Sequence, residues 1–151
     1  MDLGLTGKVA MVTGASRGLG RAMAHALADE GMYLSVCART QQTLTEAVAA
    51  LTYTGSVPRP AMGFVGDIAK PENAQRWVEE TLTRFGGIDV LVNNAGAARP
   101  GALAELPESA WQEQFDLNLF APVRPGVLRG SRNCSSCAQP ASGKGMESRQ
   151  G

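Results

Sequence analysis

The stretch Thr13-Gly14-Ala15-Ser16-Arg17-Gly18-Leu19-Gly20 constrains this chain more than any other. An apolar run, Val9-Ala10-Met11-Val12, leads into it, and the helix-like Arg21-Ala22-Met23-Ala24-His25-Ala26-Leu27-Ala28 leads out. A strand that stops in a glycine-rich turn and restarts as a helix aims unpaired backbone N–H groups, and the positive end of the helix dipole, at a bound phosphate. Gly14 is expected to take the tight turn, while Gly18 and Gly20 let backbone approach a diphosphate and let helix pack on strand. The spacing is G-x-x-x-G-x-G, which departs from the G-x-G-x-x-G of the general dinucleotide fingerprint.

The rest of the chain reads as strands alternating with helices. A strand over about 8–13 precedes a helix over 18–31 that stops at Gly31, and a second strand lies near 32–38. Leu44, Val48 and Leu51 fall at helical spacing within 41–53, and Gly55 with Pro58-Arg59-Pro60 ends that helix. A third strand near 61–66 ends at Asp67, Pro71 opens a helix running to Phe85, and Gly86-Gly87 stops it. A fourth strand, Ile88 to Val92, ends in Asn93-Asn94-Ala95-Gly96, and a further helix follows Pro107. Continuous apolar strands alternating with helices imply an α/β fold, a doubly wound parallel sheet with right-handed crossovers.

Composition places this chain among globular proteins: 44% hydrophobic and 19% charged residues, in a length of 151 that suits one domain. Basic and acidic side chains balance at 14 each, which gives no reason to expect nucleic-acid or membrane partners. The start, Met1-Asp2-Leu3-Gly4, has no secretory n-region or h-region, so a cytoplasmic location is expected. Three cysteines do not suggest a disulfide framework, and the Cys134-x-x-Cys137 pair supplies only two of a metal's four ligands, so no metal is expected. His25 reads as a plain helix-surface residue.

The character of the chain changes after Val123. Residues 124–151 hold five glycines, five serines and two prolines among 28 residues, and carry 5 basic against 1 acidic side chain, compared with 9 against 13 before them. Too few apolar groups remain to offset the entropy of ordering. The chain therefore divides into an ordered unit over 1–123 and a tail over 124–151 expected to be disordered. The tail has no aromatic residues to stack bases, which disfavours a nucleic-acid role.

From about Leu5 to Val123 the sequence resembles the short-chain dehydrogenase/reductase family, whose T-G-x-x-x-G-x-G signature it carries. The resemblance implies a Rossmann-type sheet, incomplete at its first four strands in the order 3-2-1-4, which leaves Val90-Leu91-Val92 as an apolar edge. It also implies a dinucleotide cofactor held by Gly14, Ser16, Arg17, Gly18, Leu19 and Gly20. The family's NAD-binding members place a carboxylate at the end of the second strand, where this chain has Cys37-Ala38-Arg39. Arg39, with Arg17, can instead grip a 2′-phosphate, so NADP(H) is favoured over NAD(H). Asp67 and Ile68 match the adenine-binding strand end, and Asn93, Ala95 and Gly96 match the family's N-N-A-G. Asn118 matches the helix Asn of the catalytic set.

Members of the family move a hydride between nicotinamide and a carbonyl or alcohol carbon, with a Tyr as general acid/base and a Lys four residues later. Here the only tyrosines are Tyr33 and Tyr53, no Y-x-x-x-K occurs, and no fifth strand offers the family's Ser. The expectation is a chain that binds the adenine and pyrophosphate half of the cofactor without turnover; the alternative is a non-catalytic nucleotide-binding or subunit-pairing module. Small carbonyl or alcohol substrates, and the homo-oligomers usual in the family, belong to full-length relatives. The expected cause of the change of character after residue 124 is a shifted reading frame or a misplaced gene end. One of the gene's other two frames should then encode an S…Y-x-x-x-K stretch; its absence from both would remove that explanation.

Overall fold

A computed structural model describes residues 3–53, 58–102 and 105–133, the last five of these by backbone alone. Four strands, β1 (Val9–Thr13), β2 (Tyr33–Ala38), β3 (Ala61–Val65) and β4 (Val90–Val92), form one sheet in the order β3-β2-β1-β4. All three pairings are parallel, with Val9 opposite Tyr33, Leu34 opposite Ala61 and Ala10 opposite Val90. The helices α1 (Gly18–Asp29), α2 (Gln41–Thr52) and α3 (Pro71–Phe85) are the crossovers, all within a few residues of where the sequence places them. Among the described residues no helix is long and apolar enough to cross a membrane.

Side-chain alternation along the strands builds two cores, one on each face. Ala10 and Val12 of β1 and Leu34, Val36 and Ala38 of β2 pack with Ala24 and Ala28 of α1 and Leu44 and Leu51 of α2. Met11 and Cys37 point the other way, onto Phe64, Ala74, Trp77 and Val78. Strands buried on both faces have no polar side to spend, which is why they read as unbroken apolar runs. Val90 and Val92 join the first core and Leu91 the second, so the side chains of the edge strand are half-buried on both faces rather than bare.

The far end of the chain departs from expectation. Helix α4 (Glu108–Phe115) passes through a π-helical turn, Asp116–Phe120, into helix α5 (Ala121–Asn133). Residues 124–133 are therefore helical, where composition predicts a disordered tail; residues 134–151, with Cys134 and Cys137, lie outside the described residues. The reason is tertiary. Pro125 removes a backbone donor inside the helix, but its ring is fully buried, and Ala121 and Leu128 pack into the core built on α3. These three positions recur at spacings of four and three, a helical stripe that an average over 28 residues dilutes.

One polar group is sealed inside this second core. Trp77 Nε1 donates to Ser35 Oγ at 2.9 Å, and Thr81 Oγ1 donates to the Trp77 carbonyl at 2.7 Å. The Ser35 and Thr81 hydroxyls lie 2.7 Å apart, and since Thr81 has spent its only proton, Ser35 donates. The loop of bonds is closed and all three residues are fully buried. Ser35→Ala strands both the indole N–H and one Thr81 lone pair, so it is expected to cost about 1–3 kcal/mol. Urea unfolding should show a lower midpoint with an unchanged slope; an unmoved midpoint would refute the closed loop.

Candidate functional site

The carboxyl ends of the strands open onto a cleft of about 410 Å³. Its floor is the turn after β1. Gly14 sits at φ +66°, a left-handed conformation that side chains resist, and its amide, with that of Ala15, donates to the Cys37 carbonyl at 2.8 and 3.3 Å. Helix α1 begins a few residues later. No side chain caps it and its first turn carries no acid. The amides of Gly18, Leu19 and Gly20 precede the first helical bond, from Arg21 to Arg17 at 3.3 Å, and so have no intrahelical acceptor. Gly20 is there for room: a Cβ would stand 2.5 Å from the Gly14 carbonyl oxygen.

On one flank the cleft is lined by Cys37, Ala38, Arg39, Thr40 and Thr43 from β2 and the start of α2, and by Gly66, Asp67 and Ile68 after β3. Arg17 and Arg39 are both exposed, and Asp67 is the one acid among the described residues of the lining. Asp67 Oδ1 accepts from the Ala69 amide at 3.0 Å, and its carbonyl accepts from Asn73 Nδ2 at 3.0 Å and from the Lys70 amide at 3.0 Å. These bonds fix the turn that presents the carboxylate. Burial first, and then the Asp67 charge, pushes the Cys37 thiol up to about 12. It stays protonated at neutral pH and offers no thiolate.

The other flank is stitched to the floor by Thr13 and Asn94. The buried Thr13 hydroxyl donates to the Val92 carbonyl at 3.3 Å and accepts from the amides of Asn94 and Ala95, both at 2.9 Å. Asn94 Nδ2 returns two bonds, to the carbonyls of Thr13 at 2.9 Å and Gly14 at 3.3 Å. Asn94, Ala95, Gly96 and Ala97 line the cleft, whereas Asn93 is exposed and does not. Successive side chains at a strand end point to opposite sides, so only one of the two asparagines can face inward.

Asn118 lies behind this flank, in the π-helical turn. Its Oδ1 accepts from the Ala97 amide at 3.1 Å, and its Nδ2 donates to the Ala97 carbonyl at 2.9 Å and to Gln114 Oε1 at 3.2 Å. It pins the backbone of a lining residue and is not itself in the lining, to which this segment contributes Leu117. Of the other residues singled out by sequence, Gly14, Ser16, Arg17, Gly18, Leu19, Gly20, Arg39, Asp67, Ile68, Ala95 and Gly96 all line the one cleft. Thr13 and Asn94 stand inside the two sequence motifs, yet the residues chosen from sequence as cofactor-binding leave both out. Neither tyrosine is in the lining: Tyr33 stacks on Phe85 with ring centroids 5.8 Å apart, and Tyr53 is 76% exposed at the end of α2.

The arrangement suits a phosphorylated ligand: uncapped amides at a helix start for one phosphate, two exposed guanidiniums for another, and one carboxylate for a donor edge. Its tightest point is Gly20. Gly20→Ala is expected to lower stability by about 1–3 kcal/mol, the cost of overpacking against backbone that cannot yield. Differential scanning calorimetry of the variant checks this, and an unchanged midpoint would mean that the turn has slack.

Comparison with known proteins gives this cleft a family. The profile of the short chain dehydrogenase family matches residues 8–128. The chain is 35% identical over 130 residues to the 3-oxoacyl-[acyl-carrier-protein] reductase of Vibrio cholerae, covering 85% of this chain and 51% of that protein. It is 38% identical over 121 residues to human dehydrogenase/reductase SDR family member 4, covering 79% of this chain and 42% of the other. Among solved structures, L-sorbose reductase from Gluconobacter frateurii complexed with NADPH and L-sorbose superposes with a TM-score of 0.82 at 36% identity, over 86% of this chain and 49% of that one. The chain thus spans about half the length of the relatives it matches. Signature turn, sheet order and sequence identity agree, and the chain belongs to the short-chain dehydrogenase/reductase family.

Proposed function

We propose that this chain binds the adenine and pyrophosphate half of NADP(H) and does not turn over a substrate. The observation that carries the reading is the uncapped start of α1 facing a cleft flanked by Arg17 and Arg39. In this reading the amides of Gly18, Leu19 and Gly20 hold the pyrophosphate, with Gly14 and Ser16 shaping the approach. Arg17 and Arg39 hold the 2′-phosphate, and Asp67 and Ile68 meet the adenine edge. Ala95 and Gly96 leave backbone room for the neighbouring ribose, with Asn93 at the rim. The preference for NADP(H) rests on charge: no acid stands at the end of β2 to favour a free 2′-hydroxyl, and two guanidiniums replace it. The structurally similar L-sorbose reductase was solved with NADPH.

When bound, the nicotinamide supplies or accepts a hydride. The chain's own residues support binding better than chemistry. Neither tyrosine reaches the cleft, the sequence contains no Y-x-x-x-K, and proton transfer by a placed side chain typically accounts for about 10²–10⁴-fold in rate. Asn118 holds the Ala97 backbone and transfers no proton of its own.

Isothermal titration of the whole chain with NADP⁺ and NAD⁺ tests the reading. NADP⁺ is expected to bind roughly tenfold or more tighter, since one charge-assisted hydrogen bond contributes about 1.5–3 kcal/mol, and Arg39→Ala should remove most of that difference. Absence of heat at millimolar NADP⁺ would refute binding, and steady loss of the NADPH absorbance with a carbonyl panel would refute the lack of turnover.

A further inference from the structure

We propose that Arg124 is a positioning residue for the cleft, clamping the Asp67–Ala69 turn on one flank to the π-helical turn behind the other. The proposal rests on the dinucleotide-binding reading above for its functional consequence, and on geometry alone for the clamp. Arg124 is on α5, outside the cleft lining. Its Nη1 donates to the Ala69 carbonyl, and its Nη2 pairs with Asp116 Oδ1 at 3.5 Å. The guanidinium also lies over the Phe120 ring, 5.8 Å from the centroid, and the side chain is only 24% exposed.

Each partner leads directly to the cleft. The Ala69 amide holds the Asp67 carboxylate at 3.0 Å, while the carbonyl of the same residue is held by Arg124. The turn that presents Asp67 and Ile68 is thereby tied at both polar groups of one residue. On the other side, Asp116 is fixed by Gln112 Nε2 at its second oxygen, 3.2 Å away. It directly precedes Leu117 in the lining and stands two residues before Asn118, which holds Ala97. One cation thus joins two flanks across the back of the cleft. The task needs arginine, because a planar fork reaches a carbonyl and a carboxylate at once, whereas an ammonium is a point charge. A cleft held open to the right width in advance spares the ligand the ordering entropy of its walls.

The test uses the full chain with Arg124→Ala, Arg124→Lys, and Lys8→Ala as a control at the Lys8–Asp89 ion pair at the opposite end of β1. Hydrogen exchange of the ligand-free protein reads the clamp. Arg124→Ala is expected to speed exchange in segments 67–70 and 95–98 together, and Arg124→Lys to do so partially; Lys8→Ala should alter neither. Titration with NADP⁺ reads the consequence: affinity roughly three- to tenfold weaker in Arg124→Ala, intermediate in Arg124→Lys, and unchanged in the control. Should Arg124→Ala fail to fold, Arg124→Lys carries both measurements. Unchanged exchange in both segments overturns the clamp. Faster exchange with unchanged NADP⁺ affinity overturns the positioning role. Wild-type protein that binds no NADP⁺ overturns the binding reading and the positioning role with it, while the exchange result still decides whether the clamp exists.

Discussion

A single hydroxyl, that of Thr13, holds the working end of this sheet together. It is buried, accepts from two successive amides after β4, and donates to the last carbonyl of that strand. Asn94 reciprocates by bonding both carbonyls at the start of the glycine turn. The five bonds join residues about 80 positions apart in sequence, and each exchanges hydration for a partner in a half-buried place. Without them the ends of β1 and β4 would be two independent loops, and the amides of α1 would have no fixed wall opposite them.

From that stitch the electrostatics follow. The start of α1 presents partial positive charge that no side chain of the helix neutralises. Arg17 and Arg39 add two full charges at the rim, and Asp67 is the counterweight in the lining, set by hydrogen bonds in its own turn. Uncapped amides and two guanidiniums on one cleft favour an anionic ligand, and Asp67 supplies its one acidic acceptor among the described residues of the lining. The same Asp67 helps keep the Cys37 thiol protonated, so the sulfur acts as part of the core.

Much of this was legible in the residues. The turn Gly14 to Gly20, the acid at the end of β3 and the arginine after β2 announced themselves, because each stands where an apolar run stops and a polar function has to begin. Sheet order came with the family resemblance. The hidden features depended on three dimensions. Asn93 and Asn94 are equivalent in sequence, and only the pleat decides which one faces β1. Thr13 reads as a strand residue until the partner 81 positions away comes alongside. The π-helical turn at Asp116–Phe120 has no composition of its own. Residues 124–133 look disordered when averaged with residues 134–151, yet Ala121 and Leu128 join the core built on α3 and Pro125 between them is fully buried.

The edge strand illustrates how a short element borrows strength. β4 has three residues and, among the described residues, pairs on one side only, too little ladder to hold itself in place. It is nailed at both ends instead. Asp89, just before it, exchanges backbone and side-chain bonds with Val9, each at 2.9 Å, and the Thr13–Asn94 stitch closes the far end. Such a plank cannot peel progressively from a frayed tip. Fraying from either tip must first break one of these fastenings, so the opening of the strand is governed by side-chain bonds at its ends as well as by its short ladder.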